Sequence, residues 1–139
     1  MITTKIRNFL VDSPDVRNRI DGRVYAGRVP DGGQYPCVVQ QIVNTEPAFC
    51  TVNESGASSS IVTLDVYGKS QNEVDEVSSL IRNRLSGYIG CMGNHDLTSA
   101  RMISSQNMIE RPLDGSSEWI YRNSIDYEFY YHSPIPNHK

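Results

Sequence analysis

Few side chains of this sequence have the types and spacing that catalysis or metal binding requires. His95 is followed directly by Asp96, and these are the residue types of a general base and the acid that orients it. Adjacent residues rarely face each other, and the glycines before the pair favour a loop. His132 and His138 add no HxH or HxxxH spacing of the kind that binds zinc. The sequence therefore predicts no catalytic centre and no metal site.

The motifs that bind phosphates or cofactors are also missing from the sequence. It contains no Walker loop, no GxGxxG and no GxSxG. Gly32-Gly33 could approach an anion, but a strand is predicted to follow it, whereas such anion sites open a helix. The acids Asp75-Glu76 fall on the predicted solvent side of a long helix, where charges are usually hydrated. We therefore expect a protein that is not an enzyme and uses no cofactor.

Arginine is the one polar residue type with a notable distribution. Ten arginines stand against three lysines, and four of the arginines fall within twelve residues: Arg17, Arg19, Arg23 and Arg28. Such a cluster could bind phosphates, or it could form forked ion pairs with carboxylates at a protein interface. The net charge is −3 and the pI is near 5.5, so the interface interpretation is favoured over a nucleic-acid surface.

Composition is typical of one globular domain spanning residues 1–139. Hydrophobic residues make up 38% of the chain and charged residues 21%. No apolar run is long enough to span a membrane, and the N-terminal residues do not resemble a signal peptide. The three cysteines form no CxxC pair, which favours free thiols in a cytoplasmic protein.

The periodicity predicts helices at both ends of a set of strands. A first amphipathic helix is expected over 3–11 and a short second one from Pro14, with Ser13 as N-cap and Asp21-Gly22 as its end. The strongest local signal is the capping box that begins at Ser70, because apolar residues at helical spacing follow it to residue 86. Residues 88–98 are expected to form a loop, and residues 133–139 a frayed tail.

Strands are predicted at 23–27, 37–44, 60–67, 99–110 and 119–132. The segment Pro30-Asp31-Gly32-Gly33 is a turn sequence, and Pro36 closes the loop before the second strand. The polar residues of about 45–60 predict a protruding β-hairpin. Together these elements predict an α+β fold, with a mostly antiparallel β-sheet and helices packed on one face.

The arrangement of these motifs resembles the small tail completion proteins of tailed bacteriophages, a family that includes tail terminators. The resemblance lies in Gly22-Arg23-Val24, Pro30, Gly32 and Pro36 ahead of an apolar strand, and in the closing strand YRNSIDYEFYY. It implies a virion structural protein, assembled in the bacterial cytoplasm, that forms a six-fold ring. The ring would cap the tail tube, end its polymerisation and present a surface to the head-side connector, with DNA only passing through its lumen.

The expected contact residues lie in the arginine cluster, the turn-rich loop and the hairpin. They are Arg17, Arg19, Arg23, Arg28, Asp31, Gln34, Tyr35, Glu46, Phe49 and Glu54. The expected partners are further copies of the chain, the major tail tube protein and a head-side neck protein. Two alternatives stay open at this point: a head-closure connector bound to the portal side, and a small DNA-binding regulator that uses the arginines.

Overall fold

The structure is a computed structural model that describes residues 2–30, 32–49, 54–92, 95–110 and 119–132. Within these ranges the chain forms three helices and six strands. In chain order they are α1 (Ile2–Val11), α2 (Pro14–Ile20), β1 (Val24–Ala26), β2 (Cys37–Phe49), β3 (Glu54–Gly68), α3 (Gln71–Leu85), β4 (Gly90–Met92), β5 (His95–Glu110) and β6 (Ile120–His132).

The strands form one six-stranded sheet in the order β1-β2-β3-β6-β5-β4. The pair β1–β2 is parallel, and every other neighbouring pair is antiparallel. The predicted α+β class and mostly antiparallel sheet are therefore confirmed. The predicted hairpin is also confirmed, because β2 continues to Phe49 and pairs there with Glu54 at the start of β3.

The helices cover one face of the sheet and enclose the core with it. Alternate residues of the two central strands point to this face, as the period of a β-strand requires. The buried side chains of the central strands on this face are Val62, Leu64 and Val66 of β3 and Ile125, Tyr127 and Phe129 of β6. The buried apolar side chains of α3 are Val74, Val77, Ile81 and Leu85. The apolar residues predicted at helical spacing after Ser70 are thus confirmed as the buried face of α3.

Local signals set the helix boundaries much as predicted. The Ser70 hydroxyl accepts the Glu73 amide at 3.2 Å and caps α3. The Glu73 carboxylate accepts the Lys69 amide at 3.4 Å, rather than reaching Ser70 as a capping box predicts. Ser13 occupies the N-cap of α2 without a side-chain cap bond, and Asp21 ends that helix in the left-handed conformation, with φ 48°.

The loop prediction for residues 88–98 is wrong for residues 90–92 and 95–98, while Tyr88 and Ile89 do lie outside the helices and strands. Gly90 to Met92 form β4, which pairs with His95 to Leu97, so β5 begins before the predicted residue 99. Two glycines and an asparagine suggested a loop, but pairing with a neighbouring strand overrides weak local propensity. His95 and Asp96 are thus successive residues of strand β5, and they do not lie in a loop.

Some sequence predictions fall on residues outside the described ranges. These are Asp31, the turn-rich connection 111–117 and the tail 133–139. Among the described helices, none combines the length and the apolar character needed to span a membrane.

Candidate partner interface

The second helix carries two of the clustered arginines on its surface. Arg17 and Arg19 are exposed on α2, while Val16 and Ile20 of the same helix are buried. The Arg19 guanidinium lies 3.1 Å from the Glu76 carboxylate of α3. Both side chains are more than half exposed, at 55% and 56%, so this ion pair contributes little to stability. It does orient Arg19 along the surface between the two helices.

Arg23 has a structural role in holding the loop that joins β1 to β2. Its Nε donates to the Pro36 carbonyl at 2.9 Å, and its Nη2 donates to the Arg19 carbonyl at 3.4 Å. Arg28 follows β1 and is exposed. Two of the four arginines, Arg19 and Arg23, are thus held by neighbouring groups of the same chain. The other two, Arg17 and Arg28, are both exposed.

The loop between the parallel strands forms two shallow grooves. The Gly33 amide donates to the Pro30 carbonyl at 2.9 Å, which confirms the predicted turn. One groove, of about 440 Å³, runs along β1 and is lined by Arg28 and Pro30 of the loop. The other, of about 420 Å³, is lined by Gly33, Gln34, Tyr35 and Lys69. Three predicted contact residues, Arg28, Gln34 and Tyr35, thus line open surface.

The remaining predicted contact residues lie at the opposite end of the sheet. The backbone of Glu46 pairs with Ser59, and the backbone of Phe49 pairs with Glu54. Strand β6 accompanies β3 as far as the pair Ala57↔His132. Within the described residues, the outermost part of the hairpin is therefore paired only with itself. The structure separates the arginine and loop region from the hairpin by most of the length of β2.

The face of the sheet opposite the helices carries a polar network that sequence reasoning missed. Asp126 accepts from the Thr63 hydroxyl at 2.7 Å and from the Ser104 hydroxyl at 3.0 Å, so it links three strands. Arg122 donates to Asp65 at 3.2 Å on the same face. Only the alternation of polar residues along the last strand indicated this face in the sequence, and the partners on β3 and β5 depend on register. The network gives this face a fixed arrangement of charges and hydroxyls.

The thiol of Cys37 is unreactive because it is buried. Cys37 is fully buried, and burial raises the pKa of its thiol to about 11, with Arg23 opposing the rise. A thiol of that pKa is protonated at neutral pH, and the thiolate is the reactive form. Cys37 therefore packs in the core as an apolar side chain. Among the described residues, no group of three or more His, Cys, Asp or Glu side chains is placed to hold a metal ion.

Comparison with known proteins agrees with this description. The model of a family described as "Tail completion protein gp17" matches residues 4–113, which is more than half of the chain. A chain of a solved structure described as "Virion of native gene transfer agent (GTA) particle" shares the fold, with a TM-score of 0.67 at 10% identity over 94% of each chain. No curated protein sequence matches. The family match confirms the resemblance predicted from the sequence: the chain belongs to the tail completion protein gp17 family, and it is a structural protein of a phage tail.

Proposed function

We propose that this protein is a tail terminator, which forms a six-fold ring on the last ring of the tail tube. The ring ends polymerisation of the tube and presents its other side to the head-side connector. DNA passes through the lumen without being bound specifically. The proposal rests on membership of the tail completion family and on the positions of the candidate contact regions.

The observation that carries the proposal is the hairpin formed by β2 and β3. These strands are among the longest in the chain, with 13 and 15 residues, and their far end extends past the last described partner on β6. A strand pair that extends beyond the other strands of its sheet has backbone edges on both sides that a partner can approach. It gains a surface for a neighbouring subunit or for the tail tube protein, which is the role we assign to it.

The opposite end of the sheet supplies the second contact region. Arg17 and Arg28 are exposed there, and Gln34 and Tyr35 line the groove beside Lys69. Exposed arginines and tyrosines are enriched where proteins meet. A subunit with contact regions at both ends of its strands suits a ring that lies between two different partners.

Deleting the gene in its parent phage tests the proposal, with negative-stain electron microscopy of the lysate as the readout. Overlong tails beside full, unattached heads are the expected result. Tails of normal length beside heads that have lost their DNA would instead assign the protein to head closure. Normal infectious particles would refute a role in tail completion.

A shorter deletion tests the hairpin itself. Removing residues 48–57 and closing the gap with a two-residue Asn-Gly turn should leave the fold intact. The buried side chains that the structure describes in β2 and β3 lie at 37–40 and 60–66, outside the deleted segment. Complementation with this variant should still give overlong tails. The matched control replaces residues 50–53 with glycine and serine at unchanged length. Normal tail length in the deletion variant would rule out the hairpin as the capping element.

A further inference from the structure

The two outermost strands of the sheet are short and leave most of each edge uncovered. β1 pairs only with Val38 to Gln40, at the beginning of β2. β4 pairs only with His95 to Leu97, at the beginning of β5. The Ala100 carbonyl of β5 accepts the Gly87 amide at 2.8 Å. Within the described residues, the later part of β2 and the part of β5 after Ala100 have no strand on their outer side. Such rows of unpaired backbone groups are templates for another strand.

The register of the sheet shows how far along the strand direction each short strand and each uncovered stretch lies. Partners followed across the sheet run from Tyr25 through Val39, Asp65 and Ser124 to Gln106. β1 is therefore level with the uncovered part of β5. At the other end, Gly90 of β4 is level with Pro47 of β2 through Leu97, Tyr131 and Ser58. Each short strand on one edge thus lies opposite an uncovered stretch on the other edge.

We propose that the uncovered part of β5 in one subunit pairs with β1 of the next subunit, so that the sheets of neighbouring copies join into one. This inference rests on the proposed ring and specifies how its subunits meet. Both β4 of the first subunit and β1 of the second then lie between β5 of the first subunit and β2 of the second. They occupy different positions along the strand direction, so they do not overlap.

Strand direction and hydrogen-bond alternation both suit this pairing. β1 runs parallel to β2, and successive antiparallel pairs give β5 the opposite direction, so β5 and a neighbour's β1 are antiparallel. The Val38 amide donates to Arg23 and the Gln40 carbonyl accepts from Gly27. Successive residues of a strand direct their backbone N–H and C=O groups to opposite neighbouring strands. When this alternation is followed from β2 through β3 and β6, the backbone groups of Ser105 and Asn107 in β5 point away from β6, to the open edge. Ala26, level with Ser105, also points its backbone outward from β1.

The composition of the uncovered stretch supports a buried role for it. Between Ser104 and Ile109 there is no charged residue, proline or register shift. Exposed edges in natural proteins usually carry such protecting features. Ile109 is 58% exposed there. Ile103 and Val43, at 48% and 64% exposure, lie at the register shifts of the two opposite edges and at nearly the same height.

The groove along β1 gives the incoming strand a place to bind. It has a volume of about 440 Å³ and is lined by the three residues of β1 together with Arg28 and Pro30. The contact is heterologous, since β5 of each copy meets β1 of the next. Heterologous contacts close into a ring when neighbours keep the same height along the axis, and they form open helices when they do not. Matching heights of β1 and β5 therefore favour closure.

Disulfide trapping in assembled tails tests the pairing. The variant carries Tyr25→Cys and Gln106→Cys, with Cys50→Ser and Cys91→Ser, so that the buried Cys37 is the one native thiol left. Opposed residues in an antiparallel pair lie about 4.5–5.5 Å apart at Cα, which is within disulfide range. We expect oxidation of purified tails to give a ladder of reducible oligomers that ends at six subunits. The matched control, Tyr25→Cys with Ser99→Cys, uses the same edges at unmatched heights and should stay monomeric.

A second level-matched pair, Ala26→Cys with Ser105→Cys, keeps the test decisive if the first variant does not assemble. Blotting of the purified tails establishes that the variant protein is present. Cross-linking by a level-matched pair and not by the control supports the inference. Monomers from both level-matched pairs in tails that contain the protein, or equal cross-linking by the control, would overturn it. Neither of these results affects the tail-length phenotype of the gene deletion, so the proposed function succeeds or fails separately.

Discussion

The hydroxyl of Ser70 makes one hydrogen bond whose contribution to the stability of α3 can be measured. It accepts the Glu73 amide at 3.2 Å, and that amide has no partner within the first turn of α3. Ser70→Ala should lower the free energy of unfolding by about 1 kcal/mol, the usual cost of losing an N-cap. Urea titration followed by circular dichroism measures this difference.

Ser79 provides the matched control for this prediction. It lies in the same helix with its side chain exposed, so Ser79→Ala should leave stability unchanged or raise it slightly, because alanine has the higher helix propensity. If both alanine variants unfold at the same urea concentration, the cap contributes nothing.

Cys37 should make the stability of the protein sensitive to alkaline pH. Its pKa rises from the ordinary value of 9.0 to about 11 in the folded chain, chiefly through burial. A raised pKa contributes stability that is complete below the unfolded value and is lost as the pH approaches the folded one. Between pH 9.0 and 11 the free energy of unfolding should fall by about 1.4 kcal/mol per pH unit on account of this thiol.

Comparison of two alanine variants isolates that contribution. Cys37→Ala should be less stable at pH 7 because the packing of the thiol is lost, but its stability should change less between pH 9 and 11 than that of the parent. Cys91→Ala removes an exposed thiol and should retain the pH dependence of the parent. Burial raises the pKa of Tyr127 as well, and that effect is common to all three proteins. Parallel pH profiles for all three would contradict the assignment.

At the scale of elements, the polar face holds three strands in register through one carboxylate. Asp126 accepts from Thr63 of β3 and from Ser104 of β5. Asp126→Ala should destabilise the protein by about 1–3 kcal/mol, because two hydrogen bonds to a charged acceptor are lost. Thr63→Val removes only one of them and should cost about half as much. Equal unfolding midpoints for the parent and Asp126→Ala would show that solvent replaces both bonds.

The sequence predicted those elements whose local signals agree with their tertiary setting. In α3 the Ser70 cap and the apolar positions from Val74 to Leu85 lie on the face that the core requires. In β6 the alternation that ends at Tyr131 matches burial position by position. These are amphipathic elements packed on one side, so composition and burial have the same period.

The elements that were missed depend on pairing between distant segments. β4 has only three residues, and its first, Gly90, has low strand propensity. The strand forms because residues His95 to Leu97 of β5 pair with it. The network around Asp126 could not be predicted for the same reason, since its hydroxyl donors are 63 and 22 residues away along the chain. The grouping of Arg28 with Pro30 beside β1 likewise required the course of the loop.

At the scale of the whole molecule, charge distribution predicts little affinity for DNA. The net charge is −3, Arg19 is paired with Glu76, and Arg23 bonds to backbone carbonyls. In a gel-shift assay at 50 mM salt we expect no retention of duplex DNA at micromolar protein. A complex that weakens steeply between 50 and 200 mM salt would instead indicate phosphate binding by the arginines and favour a DNA-binding regulator.

The long antiparallel ladders have a consequence for how the subunit bears force. β3 pairs with β6 from Ala57 to Gly68, and β5 pairs with β6 along almost all of its length. A pull along the strands loads all the hydrogen bonds of a ladder together, whereas a pull across the sheet breaks them one after another. In the ring that we propose, the contact regions lie at the two ends of the strands. Tension between the tail tube and the head-side connector then acts along the strands, which is the direction in which these ladders resist force best.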